Sequence, residues 1–320
     1  MTLPRDALAA LAAECDFDGL GIAPAFPVPV DSAAFSDRVT TACPEELAYL
    51  ARSLDRRLDP ARVLPGIRSV VVGYVSYAGA LPEVLPLPEG HARISRFAGF
   101  TDYHKTVGAR FERLASILTD RFKGRTRWYV DTGPVLEKAY AVAAGLGFIG
   151  KNSLFISPRH GSFVFLGVVL TDLEADGPMP MRSPSGCGAC HACQDACPGG
   201  ALHMPYILDV PRCLAHLTVT ARELGNLSAQ DLAGNLYGCD VCQDVCAFNR
   251  NAEHPVRPEF APRPGLDRPR IDDILAMDDA ALDDLLATTP IRPRNRAHLR
   301  SVARIMQENG RHENSSKDDE

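Results

Sequence analysis

An α+β fold in two parts is predicted by three features of the 320-residue sequence. Helical and extended periodicities alternate through residues 1 to about 172. Eight of the ten cysteines crowd between Cys187 and Cys246. Between these parts, Thr171 to Gly186 turns polar and rich in Pro and Gly, a natural seam.

Leu3 to Glu14, rich in Ala and Leu, reads as a short helix that ends before Gly19-Leu-Gly-Ile-Ala. Pro44 suits the first position of a second helix, running to about Arg57. Ser69 to Tyr77 (SVVVGYVSY) is β-branched and aromatic, the composition of a buried strand. Val107, Phe111, Leu114, Ala115 and Leu118 recur at helical spacing, which predicts an amphipathic helix over about 102–122. Trp128–Val130 and Phe163–Leu170 are further strands. Near the C-terminus an acidic helix over about Ile271–Ala287 precedes a basic one, and ENGRHENSSKDDE from Glu308 reads as a disordered tail. The expected domains are 1–172, 173–260 and 261–320.

Apolar residues make up 46% and charged residues 23%, a globular balance that excludes wholesale disorder and fibrous repeats. No apolar run approaches the roughly 18 residues of a membrane span, and the acid-bearing start MTLPRDALAALAAECDFDG reads as no signal peptide. The expectation is a cytoplasmic protein with no membrane partner. A net charge of −6 argues against a general basic coat for nucleic acid.

In a reducing compartment clustered cysteines are metal ligands rather than disulfides. Cys187, Cys190, Cys193 and Cys197, followed by Pro198, read C-x2-C-x2-C-x3-C-P, the bacterial ferredoxin run for [4Fe–4S] clusters. Zinc sites instead pair two C-x2-C knuckles. A second run, Cys239, Cys242 and Cys246, follows, with Cys213 between the two. Four and four make two clusters. In two-cluster ferredoxins the last cysteine of each run crosses to the other cluster. That crossing assigns Cys187, Cys190, Cys193 and Cys246 to one cluster, and Cys197, Cys213, Cys239 and Cys242 to the other, in a ferredoxin-like domain.

More than 170 residues precede the clusters, far more than a bare ferredoxin needs, so the clusters are expected to feed a second centre in the N-terminal part. No G-x-G-x-x-G follows a strand and no G-x4-G-K-[ST] occurs, which removes a Rossmann nucleotide site and an ATP-driven reductase. The C-x3-C-x2-C spacing of radical S-adenosylmethionine enzymes is also missing.

VDTGPVLEKAYAVAAGLGFIGKNSLFIS followed by GSFVFLGVVLTD closely resembles epoxyqueuosine reductase. So do DRRLDPARVLPGIRSVVVGYVSY, ISRFAGFTDYHK, LDVPRCLAHLTVTARELG and AGNLYGCDVCQDVCAFN, and the resemblance covers about residues 3–305. It implies a cobalamin-dependent oxidoreductase with two [4Fe–4S] clusters that reduces epoxyqueuosine to queuosine at the wobble base of tRNA. The N-terminal α+β domain is then the cobalamin domain. Partners follow: a tRNA carrying epoxyqueuosine and an external low-potential electron donor, met by a monomer.

The resemblance makes Asp131, in D-T-G-P, the catalytic acid. Reducing an epoxide to an alkene and water consumes two electrons and two protons, and a carboxylic acid can protonate the departing oxygen. On residue type alone, Asp131 before Pro134 could equally cap or turn the chain. Cobalamin contacts carried over are Arg57, Phe97, Asp131, Ser153, Ala215 and Asp240. No histidine is assigned to cobalt; His104 in DYHK is the first to examine. Ala247-Phe248-Asn249 stands where the family commonly has Pro-Trp-Asn, and the C-terminal helical-repeat domain of some relatives is missing. Arg292, Arg294, Arg296, Arg300 and Arg304 form an acid-free series that suits phosphate contacts, although such a run is often a solvated face. Two rivals remain: a reductive dehalogenase-type corrinoid enzyme, which would be expected to carry a twin-arginine export signal, and a ferredoxin-like electron-transfer protein.

Overall fold

The computed structural model describes residues 1–80, 86–176 and 186–315. The chain gathers into two compact units. One comprises Met1–Tyr77, Tyr103–Cys190 and Ala247–His254, the other Ala78–Asp102, His191–Cys246 and Pro255–Glu320. These interleave, unlike the consecutive domains expected from sequence. The reason is long-range pairing: Asn235–Tyr237 forms a short parallel pair with Arg93–Ile94, which draws residues 78–102 into the second unit. Asn249 bonds both the backbone N–H (2.6 Å) and the Oγ (2.9 Å) of Ser162, which ties 247–254 to the first. Of the expected seam, residues 177–185 lie outside the described residues.

The first unit is built on a four-stranded antiparallel sheet in the order Gly19–Pro24, Ser69–Ser76, Val164–Thr171, Thr126–Tyr129. Every residue of Ser69–Ser76 is buried, as its β-branched run requires of a strand covered on both faces. Side chains alternate, so Val70, Val72, Val168 and Leu170 join one apolar cluster with Tyr140, Ala141 and Ala143 of the Glu137–Ala143 helix. On the other side the amphipathic helix Tyr103–Asp120 covers the sheet through Phe111, which is fully buried. Gly73 and Gly167 face each other in register. A Cβ on either would stand 3.0 or 2.4 Å from aromatic atoms of Phe17 or Phe111, so paired glycines make the groove these rings fill.

Three expectations are corrected. The first helix is Ala7–Glu14, because Thr2–Leu3 pairs with Glu174–Ala175. The predicted helix from Pro44 breaks into Glu45–Leu47, Tyr49–Arg52 and Leu54–Leu58, where the Ser53 hydroxyl donates to the Tyr49 carbonyl at 2.7 Å. The acidic helix is two, Ile271–Ala276 and Asp279–Leu286, because Asp278 caps the second by accepting from the Ala281 N–H at 2.8 Å.

The second unit packs these helices and Arg296–Ser315 around Leu236, Ile274, Leu282, Leu286, Leu299 and Val302. The last helix follows a single turn at Pro293–Asn295, as proline at its start dictates. It continues past Glu308 to Ser315 where a tail was expected; residues 316–320 lie outside the described residues. Among the described residues no helix is long and apolar enough to cross a membrane.

Candidate active site and metal centre

Asp131 follows the strand Thr126–Tyr129 and has φ +58°, with the Thr132 N–H bonded back to the Val130 carbonyl at 2.7 Å. A three-residue turn with positive φ at a non-glycine residue costs on the order of 1–3 kcal/mol and persists only where its surroundings over-determine it. Two neighbours do so. The Tyr103 hydroxyl donates to Asp131 Oδ2 at 2.7 Å, and the Asp131 N–H donates to Glu137 Oε1 at 2.9 Å. Gly133 must lack a side chain, since a Cβ would meet the Tyr129 ring at 2.3 Å.

The Asp131 side chain itself is 67% exposed, so it is held by its partners yet open to a ligand. His104 Nε2 lies 4.0 Å from Asp131 Oδ2. Tyr103 is nearly parallel to Phe165 (4.0 Å, 5°) and stacks on His104 (4.1 Å), and Phe165 stacks on Tyr77. Packing thus fixes the hydroxyl that faces the acid. Tyr103 and Glu137 were not singled out from sequence. Tyr103 sits beside the flagged His104, whereas nothing local marks Glu137.

Glu137 opens the Glu137–Ala143 helix. Its residue keeps some solvent contact, but its carboxyl is packed in protein, and this desolvation pushes its pKa well above the usual carboxylate range. The Asp131 charge adds to the rise, while the bond from the Asp131 N–H, Arg57 and Lys138 oppose it. Arg57 donates from Nε to Ser53 Oγ (3.0 Å) and reaches the Val135 carbonyl (3.4 Å). Burial lowers its pKa, with Tyr49, Glu137 and Asp131 acting the other way.

Ser153 also has positive φ (+62°), in a turn where its N–H bonds the Gly150 carbonyl at 2.9 Å. Its Oγ is buried and has no hydrogen-bond partner among the described residues. A buried hydroxyl without a partner costs about 1–3 kcal/mol unless a ligand supplies one, so this turn suits an amide-rimmed ligand such as a corrin. Arg57, Asp131 and Ser153 belong to the first unit, and Phe97, Ala215 and Asp240 to the second.

In the second unit Asp240 is 9% exposed and fully engaged. It accepts from Ser95 Oγ (2.6 Å) and the Arg96 N–H (2.8 Å), with the Arg96 guanidinium at 3.8 Å. Desolvation raises its pKa against these bonds. Phe97 packs near Tyr237, ring centres 6.3 Å apart, and Ala215 lies in the Leu214–Val219 helix that starts after Cys213.

Burial pushes the Cys239 thiol up to about 12, with Asp240, Cys213 and Cys197 adding to the rise. Cys242 is also raised well above its usual range, again by desolvation first, then by Cys239, Cys213, Asp240 and Cys193. Such thiols deprotonate readily only onto a metal. Among the described residues no three His, Cys, Asp or Glu side chains converge on one metal-ion position. Ligands of a four-iron cluster bind four separate irons, so they need no shared point. In the first unit Lys151 Nζ donates to the carbonyls of Gly188 (2.7 Å) and Cys190 (2.8 Å), which pins the loop between Cys187 and Cys190. Cys15 is buried and Cys43 part-buried, both outside the runs.

The arginine series divides. Arg296 pairs with Asp283 (3.0 Å) and Asp279 (3.5 Å), and Arg300 with Asp279 and the Met277 carbonyl. Arg292 lies 3.6 Å from Asp102. Arg294 and Arg304 are exposed and make no ion pair among the described residues.

Residues 57–132 match the family model described as epoxyqueuosine reductase QueG, DUF1730, and residues 186–249 match a 4Fe-4S double cluster binding domain. The epoxyqueuosine reductase of Gloeobacter violaceus is 43% identical over 258 residues, 78% of this chain and 79% of that protein. That of Synechocystis is 32% identical over 290 residues, covering 89% of this chain and 98% of the relative. The crystal structure of an epoxyqueuosine reductase with an epoxyqueuosine-modified tRNA-Tyr stem loop superposes with a TM-score of 0.82 at 28% identity, covering 94% of this chain and 80% of that one. With relatives 32–43% identical over 78–89% of its length, the chain belongs to the epoxyqueuosine reductase family, whose members are oxidoreductases.

Proposed function

We propose that this chain reduces epoxyqueuosine to queuosine at the wobble position of tRNA, with Asp131 as the acid and cobalamin as the second redox group. The observation that carries this reading is Asp131: a strained, solvent-open carboxyl held in place by Tyr103 and Glu137 in a chain with a double-cluster domain. Epoxide opening leaves negative charge on oxygen, and an acid held at that oxygen supplies the proton that lets it depart. Cobalamin, when bound, supplies a low-potential cobalt centre for the two electrons. Ser153 and Arg57 would hold its amide-bearing rim. Cys187, Cys190, Cys193 and Cys246 hold one cluster, and Cys197, Cys213, Cys239 and Cys242 the other.

An external low-potential donor feeds the clusters, and the protein acts as a cytoplasmic monomer on tRNA. Arg294 and Arg304 face the phosphates, while Arg296 and Arg300 are spent on the acidic helix and Arg292 on Asp102. Anaerobically purified protein should carry about eight irons and one corrinoid cobalt. Incubated with an epoxyqueuosine stem loop and a reductant, it should return a nucleoside lighter by one oxygen. Full iron with no cobalt and no oxygen loss would leave the electron-transfer rival standing.

A further inference from the structure

Glu137 is used by no step above, yet it makes a specific contact with the catalytic turn. Its first-turn position alone would explain an acid, since negative charge suits a helix N-terminus. That account does not explain where the carboxyl goes. Leu136, the residue preceding the helix, offers no side-chain cap, yet Glu137 Oε1 reaches back six residues to the Asp131 N–H (2.9 Å). The bonded residue is the one with positive φ, and the segment between them is tight, with no room for a side chain at Gly133. Tyr103 fixes the Asp131 carboxyl from the other side. The turn therefore has one tether on its backbone and one on its side chain.

We infer that Glu137 is the positioning residue for the catalytic acid: by accepting the Asp131 N–H it holds the strained turn in which the Asp131 carboxyl meets Tyr103. This rests on the reading of Asp131 as the acid. The groups facing Glu137 are Asp131, Arg57 and Lys138. A neutral Glu137 still accepts through its carbonyl oxygen, so the tether survives protonation. What it needs is an oxygen at that place, not a charge.

The test compares Glu137→Met, which keeps length and helix propensity without the acceptor, with Glu137→Gln, which keeps the oxygen, both in the cofactor-loaded full chain. Amide hydrogen exchange of the segment 130–136 should accelerate at least about tenfold in Glu137→Met. Its kcat should fall about 10- to 100-fold while KM for the stem loop stays within about threefold, as when a contact made only at the transition state is lost. Cluster and corrinoid spectra should match wild type. Glu137→Gln should restore slow exchange and most of the lost kcat. Should Glu137→Met fail to load its cofactors, Glu137→Ala replaces it in the comparison. Wild-type exchange without the acceptor, or fast exchange with wild-type kcat, overturns the inference. An equal loss of kcat in the Gln variant also overturns it, by making the proton the essential part. Asp131→Asn separates the two readings: a near wild-type rate there removes Asp131 as the acid, whatever the exchange data on Glu137 show.

Discussion

Asp131 and Asp240 stood side by side as expected cofactor contacts, and their surroundings in the two units could hardly differ more. Asp131 is 67% exposed, sits in a turn with positive φ, and spends one carboxyl oxygen on Tyr103. Asp240 is 9% exposed, sits in ordinary backbone, and has both oxygens bonded, one to Ser95 Oγ and one to the Arg96 N–H. A carboxyl that must deliver a proton to a ligand needs free lone pairs and a fixed position, and strain at the backbone is the usual cost of that position. A carboxyl whose acceptor sites are filled by its own chain is a brace. Asp240 adjoins Cys239, so what it braces is the second cysteine run.

The largest effects should break this comparison open. Asparagine at 131 tolerates positive φ as well as aspartate does, so Asp131→Asn should leave denaturation unchanged while turnover falls about 10²–10⁴-fold. Single-turnover assays on the stem loop beside urea titrations check both halves. A variant that unfolds would make Asp131 the brace. Asp240→Ala should behave in the opposite way. Removing one partner of a buried charged pair costs about 3–5 kcal/mol, read as a lower denaturation midpoint, and activity should fall only in step with iron content. Full iron and stability with lost turnover would instead move Asp240 into the chemistry.

How much of this was visible in the residues depends on the range of the interaction. Ser69–Ser76 and Tyr103–Asp120 were legible because burial on both faces, or on one helical stripe, writes itself into local composition. The breaks at Ser53 and Asp278 were missed because each hangs on one side-chain hydrogen bond inside an otherwise helical pattern. The groove formed by Gly73 and Gly167 needs the register of two strands nearly a hundred residues apart, which no window contains. The cysteine runs were legible outright, since iron dictates their spacing. Asp131 was found by resemblance, but its left-handed turn, Tyr103 and Glu137 were not, because a tertiary fold chooses those partners.

A smaller effect follows from the carboxyl behind Asp131. The pKa of Glu137 is raised in the folded state, so folded protein keeps this proton at pH values where the unfolded chain has lost it. Its contribution to stability is complete below the unfolded value of about 4.5 and is lost as pH rises through the folded value. Glu137→Gln cannot titrate. Relative to wild type, it should therefore gain stability as pH is raised from about 4.5 toward 8, measured by urea midpoints at a series of pH values. A constant difference across that range would mean that water already reaches the carboxyl.

The smallest expected effect concerns RNA, and here the second unit is compared with itself. A net-acidic protein draws little long-range attraction for phosphate, so binding must rest on local cations that are not already neutralised. Arg296 and Arg300 fail that condition because Asp279 and Asp283 occupy them. Arg294 and Arg304 meet it, being exposed and without an ion pair among the described residues. Replacing both by Gln should weaken stem-loop binding and flatten its dependence on log salt by roughly 0.7–0.9 per lost contact. The iron content should stay as it was. Replacing Arg296 and Arg300 should leave the salt slope nearly intact and instead lower stability, since it strips the partners from an acidic helix. The reverse pattern, a flattened slope from Arg296 and Arg300 alone, would show that tRNA breaks those ion pairs on binding and that the paired face is the one that meets the phosphates.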